Sequence, residues 1–147
     1  TVIRGAEIGD GASIANNANI LLSVIGEDCS VRDGSCIQFT TMMSGSFVSS
    51  RFLNCVTLGR DTFVADGAVL TDFRLDGRNM RVKHRGRTVD SGGEFLGPCV
   101  GHRSYLGSGV MVGPGREVPN DLRLAVAGNR MVMGEDPGED FQVVRKA

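Results

Sequence analysis

The chain has 147 residues, enough for one domain, and 41% of them are hydrophobic, an ordinary share for a globular protein. Its net charge of −1 provides no global field that would favour nucleic acid or a membrane surface as partner. The sequence shows no apolar run of about eighteen residues and no signal-peptide pattern. We therefore expect a cytoplasmic protein that binds neither nucleic acid nor a membrane.

The four cysteines, at positions 29, 36, 55 and 99, form no C-x-x-C pair and have no histidine at metal-ligand spacing. We predict reduced thiols at small core positions of a cytosolic protein, and no metal site. The chain starts with Thr1 directly inside the repeat described next. From this we expect a fragment or domain of a longer protein.

Aliphatic residues recur at every sixth position along most of the chain. The first run is Val2, Ile8, Ile14 and Ile20, and a slip of one position leads to Ile25, Val31, Ile37 and Met43. The period returns at Phe52, Leu58, Val64 and Leu70, and again at Val100, Leu106, Val112 and Val118. The fourth position after each aliphatic residue is usually small: Ala6, Ala12, Ala18, Cys29, Ser35, Thr62, Ala68 and Ser104.

Neither a helix nor an ordinary strand has a period of six, but a hexapeptide β-helix does. In that all-β fold the aliphatic residue points into the interior and the small residue fits near a corner. Three hexapeptides complete a coil of about 18 residues, and the coils stack with parallel pairing. A β-sandwich would require alternation of period two, which residues 25–36 do not show.

Two stretches interrupt the repeat, and a tail follows it. Residues 44–51 are a short polar interruption, expected to be a bulged coil or a loop. Residues 72–95 form a larger, basic, glycine-punctuated excursion, which we expect to protrude from the scaffold and carry function. The predicted organisation is therefore a β-helix domain over 1–120 with this excursion, and a C-terminal cap over 121–147 that covers the open edge.

The aliphatic-glycine repeat resembles that of the hexapeptide-repeat acyltransferases. Within that superfamily, residues 53–79 and 86–115 look like the C-terminal domain of sugar-1-phosphate nucleotidyltransferases, some of which are also acetyltransferases. Residues 125–132 resemble the V-x-G-N-P-A-R segment that closes many of these proteins, with Arg130 in place of proline. The resemblance implies a left-handed parallel β-helix, a homotrimer, and acyl transfer from acetyl-CoA to a sugar phosphate or nucleotide sugar.

The residues that carry chemistry in the family are matched only in part. Its catalytic histidine maps to Phe52 or Asn54, and neither accepts a proton at neutral pH. Its substrate-contacting N-Y-D-G-x-N-K stretch maps to residues 74–80, where Asp76, Gly77 and Asn79 match and Met80 replaces the lysine. The nucleotide-transferring half, with its glycine-rich phosphate loop, is not represented in these residues.

Both histidines are candidate general bases. His84 lies in the basic excursion, where a base near a phosphate-binding surface would be useful, and a solvent-facing loop residue is the alternative. His102 follows Gly101 at a corner and is expected to point outward between neighbouring subunits. The alternatives for His102 are a surface position and a trimer contact.

The excursion also supplies the candidate substrate contacts. Five cations lie within ten residues: Arg78, Arg81, Lys83, Arg85 and Arg87. They suit the phosphates of CoA or of a nucleotide sugar, since charge-assisted hydrogen bonds are strong. We predict substrate contacts from Asp76, Asn79, Arg81 and Lys83. The alternative is a solvated extended hairpin balanced by Asp72, Asp76, Asp90 and Glu94.

The small corners of residues 105–115 could let a pantetheine arm lie against the coil. By analogy with late coils of the family, Ser108, Gly109, Gly113 and Arg116 are the predicted cofactor contacts.

Two functions follow: an acyltransferase domain, or a binding and trimerisation module of a nucleotidyltransferase-like protein that has lost its catalytic base.

Overall fold

The fold is a solenoid of short strands, described by a computed structural model for residues 1–127. These residues form twenty strands and no helix. No segment among them is a helix long and apolar enough to span a bilayer. All pairing between coils is parallel, so the predicted all-β parallel β-helix is confirmed, with an arrangement consistent with the left-handed form.

Eighteen of the strands build three faces around a common interior. The first face contains β1 (Val2–Arg4), β4 (Asn19–Leu21), β7 (Cys36–Gln38), β10 (Phe52–Asn54), β13 (Val69–Leu70) and β18 (Met111–Val112). The second contains β2 (Glu7–Ile8), β5 (Val24–Ile25), β8 (Thr41–Met42), β11 (Thr57–Leu58), β16 (Cys99–Val100) and β19 (Glu117–Val118). The third contains β3 (Ser13–Ile14), β6 (Ser30–Val31), β9 (Phe47–Val48), β12 (Phe63–Val64), β17 (Tyr105–Leu106) and β20 (Arg123–Leu124).

Each face directs one column of aliphatic side chains into the interior. On the second face, for example, Ile25, Met42, Leu58 and Val100 follow one another in register and are almost completely buried. The three columns together form one continuous core. Burial of this apolar surface is the main stabilising term, at roughly 25 cal/mol per Å².

The predicted phase is wrong at three positions. Ile3, Met42 and Leu53 occupy the inward positions instead of the expected Val2, Met43 and Phe52. Leu53 is fully buried, whereas the neighbouring Phe52 is 48% exposed on the outer surface. The errors arise because the coils are shorter than 18 residues.

The corner between the first and second faces explains the shorter coil. There the inward residues are five positions apart, as in Ile20 and Ile25, and the slip of one recurs in successive coils. Each such corner contains a residue with positive φ, namely Gly5, Leu22, Phe39 and Cys55. This left-handed conformation is rare for bulky residues such as Leu22 and Phe39. It turns the chain sharply, which saves one residue per corner.

The expected interruption at residues 44–51 is also wrong. Strand β9 lies in this segment, and Phe47 and Val48 pair in register with β6 and β12. At the other end, β20 continues the third face through Leu124 by pairing with β17. The rest of the expected cap, including Arg130, lies outside the described residues.

The small corner positions are confirmed as buried. Ala18, Cys29, Ser35 and Ser104 are fully buried, and the Ser104 hydroxyl donates to the Pro119 carbonyl at 2.7 Å. All four cysteines are unpaired thiols, as expected. Only Cys29 belongs to the core, however, since Cys36 and Cys55 are half-buried and Cys99 is exposed.

The outer surface of the third face carries a stack of rings. Phe47 and Phe63 stack with centroids 5.4 Å apart, and Phe63 and Tyr105 with centroids 6.0 Å apart. The guanidinium of Arg123 lies 4.9 Å from the centre of the Tyr105 ring. Parallel in-register pairing places these side chains above one another, and stacking of this kind adds roughly 0.5–1.5 kcal/mol per pair.

The insertion, residues 71–98, leaves the solenoid between β13 and β16. Its centre is an antiparallel hairpin of β14 (Arg81–His84) and β15 (Arg87–Asp90), which agrees with the extended hairpin weighed as an alternative. Phe73 and Phe95 bridge the two ends, and the backbone N–H of Leu96 donates to Asp72 O at 2.7 Å. Met80, only 2% exposed, anchors the hairpin to the coils.

Candidate functional site

A cleft lies between the hairpin and the second face. This hairpin cleft has a volume of about 470 Å³. The hairpin and the segment that follows it contribute Val82, Lys83, Leu96, Gly97 and Pro98, and the coils contribute Cys55, Thr57, Cys99, Gly115, Arg116 and Glu117. Apolar surface therefore predominates, and three charged side chains interrupt it.

Close packing at two glycines brings the hairpin against the coils. A β-carbon at Gly97 would lie 2.7 Å from the backbone oxygens of both Asn54 and Cys55, so only glycine allows this approach. Gly115 lies beneath the side chains of Met80 and Val82. The floor and the wall of the cleft are thus fixed by contacts between the insertion and two separate coils.

Lys83, Arg116 and Glu117 are the charged groups of the hairpin cleft. None of them has an ion-pair partner within residues 1–127, and none of their side chains forms a hydrogen bond there. By contrast, Arg74 and Arg103 are each paired with an aspartate. The cleft therefore presents two cations and one carboxylate to whatever enters it.

Two thiols also line the hairpin cleft. Burial raises the pKa of Cys55, and the charge of Asp72 raises it further. Burial likewise raises the pKa of Cys99, with an added contribution from Glu117, its register partner across β16 and β19. Both thiols are therefore protonated at neutral pH, which disfavours them as nucleophiles.

A second cleft, of about 290 Å³, lies at the base of the hairpin. This arginine cleft is lined by Arg74, Arg78, Asn79, Arg81 and Asp90. The predicted substrate contacts therefore divide between two places. Asn79 and Arg81 line the arginine cleft, whereas Lys83 lines the hairpin cleft together with Arg116, a predicted cofactor contact.

Asp76 lines neither cleft, although it was also a predicted substrate contact. Its carboxylate accepts two hydrogen bonds from Arg74, one of them from Nε to Oδ1 at 2.8 Å. This pairing lowers the pKa of Asp76 to about 2. Asp76 therefore acts as the counter-ion that holds Arg74 in place.

His102 lies at a corner between the second and third faces, away from both clefts. Its Nδ1 accepts a hydrogen bond from the backbone N–H of Arg60 at 2.8 Å, and its own backbone N–H donates to Asn120 Oδ1 at 2.8 Å. Asp33 Oδ1 accepts from the backbone of Asn16 in the same manner. These side chains each satisfy a turn N–H of the preceding coil.

This hydrogen bond fixes the tautomer of neutral His102. Because Nδ1 accepts from a backbone N–H, the proton must be on Nε2. The outward nitrogen is then a donor and not a base. The predicted catalytic role of His102 thus requires a change of tautomer, and that role stays a prediction.

His84 is exposed near the tip of the hairpin, where Arg87 is its cross-strand neighbour. It lines neither cleft, and its catalytic role also stays a prediction. No motif or local pattern in the sequence marks Glu117, Thr57 or Cys99 as site residues. They become neighbours of Lys83 only because the insertion folds back over the second face.

The remaining predicted cofactor contacts lie apart from one another. The backbone N–H of Gly109 donates to Gly67 O at 3.1 Å, which places Ser108 and Gly109 in a corner turn. A β-carbon at Gly113 would lie 3.6 Å from Cγ of Arg116, so Gly113 is adjacent to the hairpin cleft. Of the four residues, Arg116 alone lines that cleft.

No family model and no curated protein matches the sequence. Among solved structures, the chain is similar to PerB from Caulobacter crescentus in complex with CoA and GDP-perosamine, with 15% identity and a TM-score of 0.42. The match covers 84% of this chain and 54% of that chain. A mutant of perosamine N-acetyltransferase from the same organism, in the same complex, matches with 14% identity, a TM-score of 0.41 and coverages of 84% and 53%. The chain thus spans about half the length of these proteins.

Proposed function

We propose that this domain binds a phosphate-bearing small molecule in the hairpin cleft and transfers an acyl group from acetyl-CoA to a sugar phosphate or nucleotide sugar. One observation carries the proposal. Lys83 from the hairpin and Arg116 from the last coils line the same cleft, and neither has an ion-pair partner in residues 1–127. Unpaired cations in a partly apolar cleft attract phosphate oxygens.

The shape of the cleft fits a ligand of moderate size. Its volume of about 470 Å³ lies within the usual range for small-molecule sites, roughly 300–1,000 Å³. Val82, Leu96 and Pro98 would contact the apolar part of the ligand, while Lys83 and Arg116 would hold its phosphates. A pantetheine arm attached to a pyrophosphate has this combination of properties.

Acyl transfer requires a group that receives a proton from the acceptor. The acceptor hydroxyl or amine attacks the thioester carbonyl carbon, the new C–O or C–N bond forms, the C–S bond breaks, and CoA leaves as its thiol. Glu117 is the carboxylate that lines the hairpin cleft, whereas His84 and His102 lie outside it. We therefore add Glu117 to the two histidines as a candidate for this role.

Thermal denaturation with ligands tests the binding proposal. A ligand that binds the folded state stabilises it by about 2.7 kcal/mol at 100 times its Kd. Acetyl-CoA, CoA, UDP-N-acetylglucosamine and glucosamine-1-phosphate should be compared with inorganic phosphate. We expect a rise in Tm with at least one acyl carrier and one sugar phosphate.

Two matched double variants test whether the rise in Tm comes from binding in the hairpin cleft. Lys83→Ala with Arg116→Ala should abolish the rise in Tm with acetyl-CoA and CoA, because both phosphate-holding cations of the hairpin cleft are removed. Arg85→Ala with Arg87→Ala removes the same number of positive charges, from positions outside both clefts, and should retain the rise in Tm. No stabilisation by any acyl carrier would contradict the acyltransferase proposal.

The second candidate is a non-catalytic binding and trimerisation module. The hydrogen bond from Arg60 to Nδ1 of His102 favours it, because the predicted base is occupied with a structural contact. Release of CoA thiol in the presence of acetyl-CoA and each acceptor distinguishes the two candidates. Binding without thiol release supports the module, whereas release that is lost in Glu117→Gln supports the enzyme.

The proposal extends to assembly and location. We propose a homotrimer related to the C-terminal domains of sugar nucleotidyltransferases. The exposed apolar residues Val2, Phe52, Val69 and Met111 on the outside of the first face support self-association. Light scattering should give three times the 15.6 kDa chain mass. The four unpaired thiols fit a reducing, cytoplasmic location.

A further inference from the structure

The arginine cleft differs in chemistry from the hairpin cleft. Its lining consists of three arginines, one asparagine and one aspartate, and includes no apolar side chain. The hairpin cleft has Val82 and Leu96 among its lining residues. The polar groups of the arginine cleft are therefore mostly guanidinium donors, which favours a small, highly charged anionic group.

The two clefts are also spatially separate. They share no lining residue. Val82 packs towards Gly115 of the coil, and Arg81, its neighbour in β14, points to the opposite side of the strand because side chains alternate. A ligand in one cleft need not contact the other.

The guanidinium groups of the arginine cleft are differently engaged. Arg74 is fixed by its two hydrogen bonds to Asp76. Arg78 approaches that carboxylate only to 4.0 Å, and Arg81 has no ion pair within residues 1–127. On the opposing strand, Asp90 Oδ1 accepts the backbone N–H of Gly92 at 2.8 Å. Arg78 and Arg81 therefore have donors available for a ligand.

We infer that the arginine cleft is a second, independent site for a phosphoryl group, held by Arg78 and Arg81 with Arg74 as a prepositioned third cation. The ligand class is inorganic phosphate, pyrophosphate or a terminal phosphate monoester. Arginine suits this task because its planar fork donates two parallel hydrogen bonds to a phosphate. Asp76 serves as the residue that positions Arg74.

Calorimetric titration with inorganic phosphate and with pyrophosphate tests the inference. Arg78→Ala with Arg81→Ala should lower the affinity by at least about tenfold, since both cations with donors free for the anion are removed. Arg85→Ala with Arg87→Ala, which removes the same charge from the same hairpin, should change the affinity by less than about threefold. Lys83→Ala with Arg116→Ala should leave the phosphate affinity of the arginine cleft unchanged.

Several results would overturn the inference. An equal loss in the Arg85 and Arg87 variant would indicate diffuse attraction by the hairpin charge instead of a site. Loss of all phosphate binding in the Lys83 and Arg116 variant would assign phosphate to the hairpin cleft alone. Failure of wild-type protein to bind either anion at millimolar concentration would exclude the site, whatever the outcome of the acyl-carrier titrations. A parallel loss of acetyl-CoA affinity in the Arg78 and Arg81 variant would show one shared ligand and not two sites.

Discussion

The regular coils and the insertion are built from different interactions. The coils bury an aliphatic column on each face and satisfy their backbone by pairing with the coils above and below. The insertion buries few residues, among them Met80 and Asp72, and the side chains of its hairpin are mostly exposed. The cations that line the two clefts belong to the insertion or, as with Arg116, lie on the coils that face it. The residues that stabilise the fold and the residues proposed to bind ligands are thus largely different, and substitutions in each region can test this separation.

The largest difference is expected between two leucines. Leu58→Ala should lower the free energy of unfolding by about 2–5 kcal/mol, because Leu58 is fully buried and its removal leaves a cavity in the core. Leu75→Ala, at a residue 96% exposed in the insertion, should change it by less than about 0.5 kcal/mol. Urea denaturation measures both values. Similar costs would show that the insertion contributes to the core.

Two glycines give the next contrast. Gly97→Ala should cost about 1–3 kcal/mol, since the new methyl group would lie 2.7 Å from two backbone oxygens of the coil. A β-carbon at Gly77 would have no other atom within 4 Å. Gly77→Ala should therefore cost only about 1–2 kcal/mol, because alanine is strained at the positive φ of 65°, and this cost should be confined to the insertion. Equilibrium unfolding together with ligand titration would measure both. A neutral Gly97→Ala would contradict the close approach that forms the cleft.

Met80→Ala should separate local from global stability. Loss of this anchor should loosen the hairpin and raise hydrogen exchange of the amides paired in β14 and β15. The Tm of the coils should fall by no more than about 2–4 °C, the shift expected for about 1 kcal/mol in a chain of this size. Increased exchange throughout the coils would show that the two regions unfold as one unit.

The smallest expected effect is the loss of stability of the insertion at acidic pH. The hydrogen bonds from Arg74 lower the pKa of Asp76 from its ordinary 3.8 to about 2, so the pair stabilises the insertion fully above pH 3.8. This contribution is lost as the pH falls from 3.8 to about 2. In the coils, Arg103 similarly lowers the pKa of Asp121. The chemical shifts of the carboxyl carbons in an NMR titration should show the lowered pKa values of Asp76 and Asp121. Arg74→Gln should return the pKa of Asp76 towards its ordinary value.

The period-six pattern predicted the scaffold because each inward position is occupied by a buried side chain, usually aliphatic, which is visible in the sequence. Ile20, Ile25, Val31 and Ile37 are all inward, as expected. The errors at Met43 and Phe52 had a physical origin: a left-handed residue such as Phe39 shortens a corner, and the sequence does not show that leucine or phenylalanine will adopt this conformation.

The candidate site was less predictable. The run of cations predicts Lys83, and the analogy with late coils of the resembled family predicts Arg116, but their place in one cleft depends on how the insertion folds back across the coils. Glu117 has no local signal at all, because it is simply an outward residue of a strand. Asp76 matches a motif of the resembled family, and the motif does not show that its carboxylate pairs with Arg74; its substrate contact stays a prediction. Contacts between distant segments decide such roles, and periodicity carries no information about them.

The ring stack on the third face provides an optical probe. The chain has one tyrosine and no tryptophan, so its fluorescence excited near 280 nm (roughly the tyrosine band) comes from Tyr105. Tyr105 lies between Phe63 and the guanidinium of Arg123. Because each coil contacts only its neighbours, this end of the solenoid can unravel before the rest. The emission of a single residue would then report fraying of the last coils, while circular dichroism follows the whole stack.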